Sequence, residues 1–148
     1  MLFVSYAPNI RRTANGDEIF CRWRMKFVRL TPEEWVRQTI LHALVEQYAY
    51  PPSRIAVEYS IEVADLKKRC DAVIFDGRLR PVCIVEFKRE EVALTQKVQD
   101  QVAVYNRKLK VNYFIISNGR QMLAAKLTET GYEYLQQVPS YELLCQKN

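Results

Sequence analysis

Asp71, Glu86 and Lys88 put two carboxylates and an ammonium group within one short stretch of chain. That stretch reads as two apolar strands, Arg69 to Asp76 and Pro81 to Lys88, joined by a turn at Gly77 to Arg80. With Asp76 and Pro81 flanking the turn, the register sets Asp71 opposite Glu86 and Arg69 opposite Lys88. Opposed residues of an antiparallel pair hold their Cβ atoms roughly 5 Å apart on one face. Glu86 and Lys88 share that face because strand side chains repeat every two residues. Deeper on it, Val73, Phe75, Ile84 and Val82 read as core. Opposed carboxylates at the edge of an apolar face are costly unless a cation joins them. Mg²⁺, which prefers carboxylate oxygen and keeps several waters, would do so. A lysine beside it would orient a water and stabilise charge building on a phosphorus centre. The same groups would also be satisfied as salt bridges, Lys88 and Arg69 with Glu86 and Asp71, and the triplet alone does not separate the two readings.

The elements around this hairpin decide what else can reach it. A helix over Val92 to Leu109 carries the stripe Leu94, Val98, Gln101, Val102, Tyr105 and Leu109. Gln101 and Tyr105 lie four apart on the side that must face the sheet, and polar groups on a buried stripe need polar partners. A plainer role also fits: tyrosine suits a core edge, and Gln101 would serve as a cap for a strand carbonyl. An earlier helix starts at Thr31, a natural N-cap, with Pro32 at the first helical position and Glu33 and Glu34 complementing the dipole. It runs to about Tyr48, before Pro51-Pro52, with an apolar stripe at Leu41, Leu44, Val45 and Tyr48 and Ile40 beside it. Ahead of it, an apolar run from Leu2 to Tyr6, a turn over Thr13 to Asp17 and an arm from Glu18 to Val28 read as a hairpin. In that arm Arg22, Arg24 and Lys26 alternate with Trp23, Met25 and Phe27. Strands follow at Ile55 to Val63, at Asn112 to Ser117 with a turn at Asn118-Gly119, and at Met122 to Leu127; a short helix fits Tyr141 to Cys145. The order predicts an α/β fold with a mixed central sheet flanked by helices, plus an N-terminal β-hairpin.

The bulk properties set the limits. A chain of 148 residues suits one domain, here 1–30 as the hairpin, 31–127 as the core and 128–148 as a tail. The net charge of +5 favours polyanionic partners. Cys21, Cys70, Cys83 and Cys145 lack zinc-ligand spacing and read as small buried hydrophobes. His42 is the sole histidine, so no multi-histidine metal centre can form in one chain; in a helical stretch it reads as structural. No membrane-spanning stretch or secretory leader is legible, so the expected location is the cytoplasm. No G-x-x-x-x-G-K-[ST] loop occurs, so no nucleotide-driven motor is encoded.

Taken together, three strings resemble the PD-(D/E)xK nuclease superfamily: Arg69-Cys70-Asp71-Ala72-Val73-Ile74-Phe75, Ile84-Val85-Glu86-Phe87-Lys88, and Gln101-Val102-Ala103-Val104-Tyr105-Asn106. The chain looks most like the branch containing the N-terminal nuclease domain of type I restriction enzyme R subunits. That branch also has an opening like Thr31-Pro32-Glu33-Glu34-Trp35 and a segment like Tyr113-Phe114-Ile115-Ile116-Ser117-Asn118-Gly119. Cys70 stands where many members have proline. The resemblance implies a restriction-endonuclease-like αβββαβ core and Mg²⁺-dependent cleavage of DNA, with Mn²⁺ able to substitute. It implies that Asp71, Glu86 and the backbone carbonyl of Phe87 hold the metal, that Lys88 positions the attacking water, and that Gln101 and Tyr105 support the site. Glu34 is the candidate for the glutamate that a first helix often adds, although its capping role explains it equally well. Lys67, Lys68, Arg69, Arg89, Arg107 and Lys108, with Lys110, are the candidate phosphate contacts, solvated charge being the other reading for each. Partners would be DNA and other subunits of a restriction or repair complex. The alternative is a catalytically silent nucleic-acid-binding or assembly module with the same fold.

Overall fold

A computed structural model describes residues 6–146; Leu2 to Ser5 of the N-terminal apolar run lie outside them. Strands β1 (Ile10–Thr13), β2 (Gly16–Cys21) and β3 (Lys26–Arg29) form a small antiparallel sheet, and helix α1 (Pro32–Tyr48) follows. A hairpin does form about the expected turn, but its first arm is β1 at Ile10–Thr13 and not the run from Leu2 to Tyr6. Its long second arm, however, is broken between β2 and β3. Arg22 to Met25 form a turn in which Met25 adopts a left-handed φ of 53°. The alternation of basic and apolar residues there reflects docking of the turn. The Trp23 indole N–H donates to the Pro52 carbonyl at 3.1 Å, and the Arg24 guanidinium turns inward onto Glu34.

The central sheet has six strands in spatial order β4-β5-β6-β7-β8-β9. These are β4 (Ile55–Val63), β5 (Leu66–Phe75), β6 (Pro81–Phe87), β7 (Tyr113–Ser117), β8 (Met122–Thr128) and β9 (Gly131–Tyr134). Only β6 and β7 run parallel, joined through helix α2 (Gln96–Leu109). A crossover of this kind carries a helix back across one face, which leaves the carboxyl ends of both strands open for a site. α2 begins at Gln96 because residues 92–95 are held off the helix, with the Asn118 side-chain amide donating to the Val92 carbonyl at 2.8 Å. β9 had no signal in the sequence; its polar residues gain strand geometry by pairing with β8. Helix α3 (Tyr141–Cys145) then buries Leu144 against the α1 side of the sheet.

The sheet separates two cores. On one face Val36, Ile40, Leu41 and Leu44 of α1 pack on Ala72, Ile74, Cys83, Val85 and Phe87. On the other, Val98, Val102 and Tyr105 of α2 pack on Val73, Ile84, Phe114 and Ile116. The resulting αβββαβ order of α1, β4, β5, β6, α2 and β7 is the predicted restriction-endonuclease-like core. α1 carries more buried surface than a single stripe explains: Glu34, Arg37, Gln38 and Ala43 are buried as well. It lies between the large sheet and the docked turn of the small one. Val82 departs from expectation. A register shift after Ile74 places Phe75 opposite Pro81, and Val82 turns to the α1 side instead of joining Val73 and Ile84.

Candidate active site

The ladder between β5 and β6 ends with Ala72 paired to Val85, and Asp71 and Glu86 are the next residues beyond it. At that pair the carboxylates take up backbone donors themselves. The Asp71 N–H donates to Glu86 Oε1 at 3.1 Å, and the Phe87 N–H donates to Asp71 Oδ2 at 2.8 Å. Each carboxylate is therefore tied to the other's strand, so the two side chains are held together by the backbone that opposes them. In an extended strand the N–H and C=O of one residue project to the same edge. The Phe87 carbonyl thus lies on the edge that faces Asp71. The Lys88 N–H donates to the Ser117 carbonyl, which closes the β6–β7 side of the corner.

Asp71 also marks a change of face. Ala72 packs under α1, yet Cys70, two residues earlier, packs under α2. The neighbouring strand is irregular at the same level: Glu58, between the paired positions Val57 and Tyr59, adopts φ 53°. Val57 pairs with Ala72 and Tyr59 with Cys70 in one unbroken register, so the faces change on both strands with no residue inserted. Asp71 consequently meets both helices. From α1, Arg37 Nη2 donates to Asp71 Oδ1 at 3.2 Å. From α2, Tyr105 lies close enough that the charges of Glu86 and Asp71 add to the effect of burial in raising its hydroxyl pKa. Gln101 Nε2 donates to the Tyr105 hydroxyl at 2.8 Å, so the two polar residues of the α2 stripe meet each other at this corner.

The electrostatics follow from burial. Glu86 is 1% exposed, and desolvation pushes its carboxyl well above the ordinary carboxylate range, with the Asp71 charge adding and the Lys88 charge opposing. Burial, with smaller contributions from Glu86 and Asp71, pushes the Cys70 thiol up to about 12. An excess of negative potential at one spot is what a bound cation would relieve.

The remaining candidates divide by position. Lys67, Lys68 and Arg69 are exposed on the part of β5 that runs past Asp71, opposite Glu62, Ile61 and Ser60 of β4. Arg69 is thus paired across β4, and β6 ends before Lys88. Asp71 is indeed in an ion pair, but with Arg37. Arg89 is exposed beside the corner, 3.8 Å from Glu91. Arg107 and Lys108 lie elsewhere: α2 runs back along the sheet, and Leu109 and Lys110 share a hollow with Asp76 and Pro81 at the far end of β5 and β6. Glu34 caps α1 as expected, its N–H donating to Thr31 Oγ1 at 3.0 Å. Both its carboxylate oxygens are occupied by protein donors, Arg24 at 2.7 and 2.8 Å, Arg37 at 2.8 Å and Gln38 at 2.9 Å. Arg37 and Glu58 were not singled out from sequence, and Arg24 was read there only as part of the basic side of the hairpin arm. Arg37 and Gln38 carried one usable signal, polar side chains set among the buried positions of an amphipathic helix.

Residues 32–139 match the family model for the type I restriction enzyme R protein N terminus. No curated protein matches the chain. Among solved structures, a candidate nuclease belonging to DUF820 from Anabaena variabilis is 9% identical, with a TM-score of 0.50 over 90% of this chain and 86% of that one. The DrdV–DNA complex, determined by electron cryomicroscopy, is 18% identical with a TM-score of 0.49. The match covers 70% of this chain, which spans only 10% of the DrdV chain. At 9% identity the likeness to the candidate nuclease is one of fold.

Proposed function

We propose, from the premise that this chain belongs to the type I restriction enzyme R protein N-terminal family, that its sheet corner is a Mg²⁺-dependent site hydrolysing DNA phosphodiesters. The observation that carries this reading is the reciprocal tie of Asp71 and Glu86 to each other's strands, with Lys88 at the end of the same strand as Glu86. A buried glutamate whose proton affinity is raised by desolvation and by a facing aspartate serves no evident structural need. Among the described residues no group of three or more His, Cys, Asp or Glu gathers around one point. The chain would therefore offer Asp71, Glu86 and the Phe87 carbonyl, and such a partial set of oxygen donors fits Mg²⁺, which keeps waters in its shell; Mn²⁺ would substitute.

A divalent ion held there would supply Lewis-acid polarisation of the phosphate and a readier water nucleophile. Lys88 would orient that water and balance the negative charge growing on the phosphate oxygens. Water oxygen bonds to phosphorus in line with the leaving oxygen, the phosphorus–oxygen ester bond breaks, and the water's proton passes to solvent while the leaving oxygen is protonated. Gln101 and Tyr105 would steady the α2 side of the pocket through their mutual hydrogen bond. Lys67, Lys68, Arg69 and Arg89 would hold flanking phosphates. Movement along DNA and choice of target would come from other subunits or segments, since these 148 residues contain no phosphate loop.

A second reading, a silent assembly module, has one observation in its favour: both Asp71 oxygens already accept protein donors. Plasmid nicking under Mg²⁺ or Mn²⁺ titration separates the two. The wild type is expected to nick, while Glu86→Ala and Lys88→Ala lower the rate by about 10²-fold or more, the scale of losing a charge-stabilising group. A wild type that folds but neither binds the ion nor nicks would sink the nuclease reading and leave the assembly module.

A further inference from the structure

Arg24 lies in the turn between β2 and β3, ahead of residues 32–139 that carry the family match. Its guanidinium grips Glu34 with Nη2 at 2.7 and 2.8 Å from the two carboxylate oxygens. Glu34 also accepts from Gln38 and from Arg37 Nη1, and Arg37 Nη2 reaches Asp71. The result is a continuous chain of charge-assisted hydrogen bonds, Arg24 to Glu34 to Arg37 to Asp71. Glu58, the left-handed residue of β4, lies 3.9 Å from Arg24 and 3.8 Å from Arg37.

Two features set this chain apart from an ordinary stabilising ion pair. Glu34, Arg37 and Gln38 are 5%, 7% and 0% exposed, so the charges bear a desolvation cost that apolar residues of the same size would avoid. The network is also incompletely satisfied: the Nε atoms of both Arg24 and Arg37 are buried without a partner, as is Gln38 Oε1. Half-satisfied buried networks stabilise poorly, and each such group calls for another explanation. Here the geometry supplies one. Four hydrogen bonds from Arg24, Arg37 and Gln38 fix the Glu34 carboxylate; fixed Glu34 holds Arg37 by Nη1; held Arg37 presents Nη2 to Asp71. Together with the Phe87 N–H on the other oxygen, this leaves the Asp71 carboxylate a single orientation.

We propose that the small N-terminal sheet is a positioning element of the candidate site, with Arg24 and Arg37 as positioning residues acting through Glu34 to orient the Asp71 carboxylate toward a divalent cation. This rests on the metal-site reading above. Groups that hydrogen-bond a ligating carboxylate set its orientation, and their loss weakens metal affinity by about 10–100-fold.

The test uses the full chain and Mn²⁺ alone, followed by isothermal calorimetry, with the thermal midpoint of the metal-free protein recorded in parallel. Measured well below every midpoint, Arg24→Met is expected to weaken Mn²⁺ binding by about tenfold, and Arg24→Lys, which keeps the charge but not the fork, to recover part of it. The Arg24→Met and Arg37→Met effects on affinity should be non-additive, since both interrupt one chain. If Arg24→Met fails to fold, Glu34→Gln, which keeps the shape and removes the central charge, carries the same expectation. Unchanged Mn²⁺ affinity in a folded Arg24→Met or Glu34→Gln protein, or strictly additive effects, overturns the proposal while leaving the nuclease reading intact. A wild type that binds no Mn²⁺ overturns both.

Discussion

At the scale of single residues, the same side-chain chemistry takes different roles according to what surrounds it. Glu34 and Glu86 are both buried glutamates in this corner. Three charge-assisted or amide donors surround Glu34 with four hydrogen bonds. Glu86 receives one backbone N–H and faces a second carboxylate, so desolvation dominates its proton affinity. The first is a structural anion and the second the better candidate ligand. His42 illustrates the structural use of a titratable group. Its ring stacks on Tyr6 with centroids 3.8 Å apart and meets the Trp23 edge at 5.1 Å. Burial, with help from the Arg22 charge, lowers its pKa. A depressed histidine favours the neutral ring in the folded state, so its contribution is present above the unfolded value near 6.5 and is lost as pH falls through the folded one. The thermal midpoint should drop between pH 7.5 and about 5 by more in the wild type than in His42→Phe, whose ring cannot charge. Equal losses in both proteins would remove His42 as the cause.

At the scale of elements, the site depends on places where regular structure stops. β5 and β6 cease to pair backbone to backbone at Asp71 and Glu86, β4 turns left-handed at Glu58, and β7 ends in the Asn118-Gly119 turn. That turn is a fixed joint. Asn118 accepts the N–H groups of Arg120 and Gln121 at 3.0 and 2.8 Å and donates to Val92. Gly119 has φ +90°, and a Cβ added there would meet Val36 Cγ2 of α1 at 3.3 Å. Left-handed strain for an L side chain costs roughly 1–2 kcal/mol, and the contact with Val36 adds to it. Gly119→Ala should therefore lower the urea midpoint without changing the m-value, and the drop it causes should be smaller in a Val36→Ala background by the steric part alone. A midpoint equal to wild type would mean the turn adapts freely.

At the scale of the molecule, surface charge is distributed unevenly about the corner. Lys67, Lys68, Arg69 and Arg89 lie on the site side, whereas α2 carries Arg107 and Lys108 to the far end of the sheet. If the corner engages duplex DNA, removing one phosphate-binding cation should reduce the slope of log affinity against log salt by about 0.9. Lys67→Gln and Lys68→Gln are expected to weaken DNA binding and flatten that slope, while Arg107→Gln and Lys108→Gln leave nicking close to wild type. The reverse ranking would move the DNA to the other end of the sheet. None of the helices among the described residues is long and apolar enough to cross a membrane.

The sequence by itself determined the αβββαβ order and the meeting of Asp71 with Glu86, because both follow from short-range rules: strand periodicity, a four-residue turn and a capped helix. It set Gln101 and Tyr105 on the sheet-facing stripe for the same reason, with partners expected at the sheet end, whereas the structure joins the two to each other. Only the tertiary structure decided that the arm from Glu18 to Val28 breaks at Arg22, because the break is made by docking Trp23 and Arg24 onto distant residues. It alone fixed the late start of α2, through Asn118, and β9, through pairing with β8. The partners of Glu34 and Asp71 were likewise out of reach. Arg24, Arg37 and Asp71 come from a turn, a helix and a strand, and no local pattern records which guanidinium a buried carboxylate will meet.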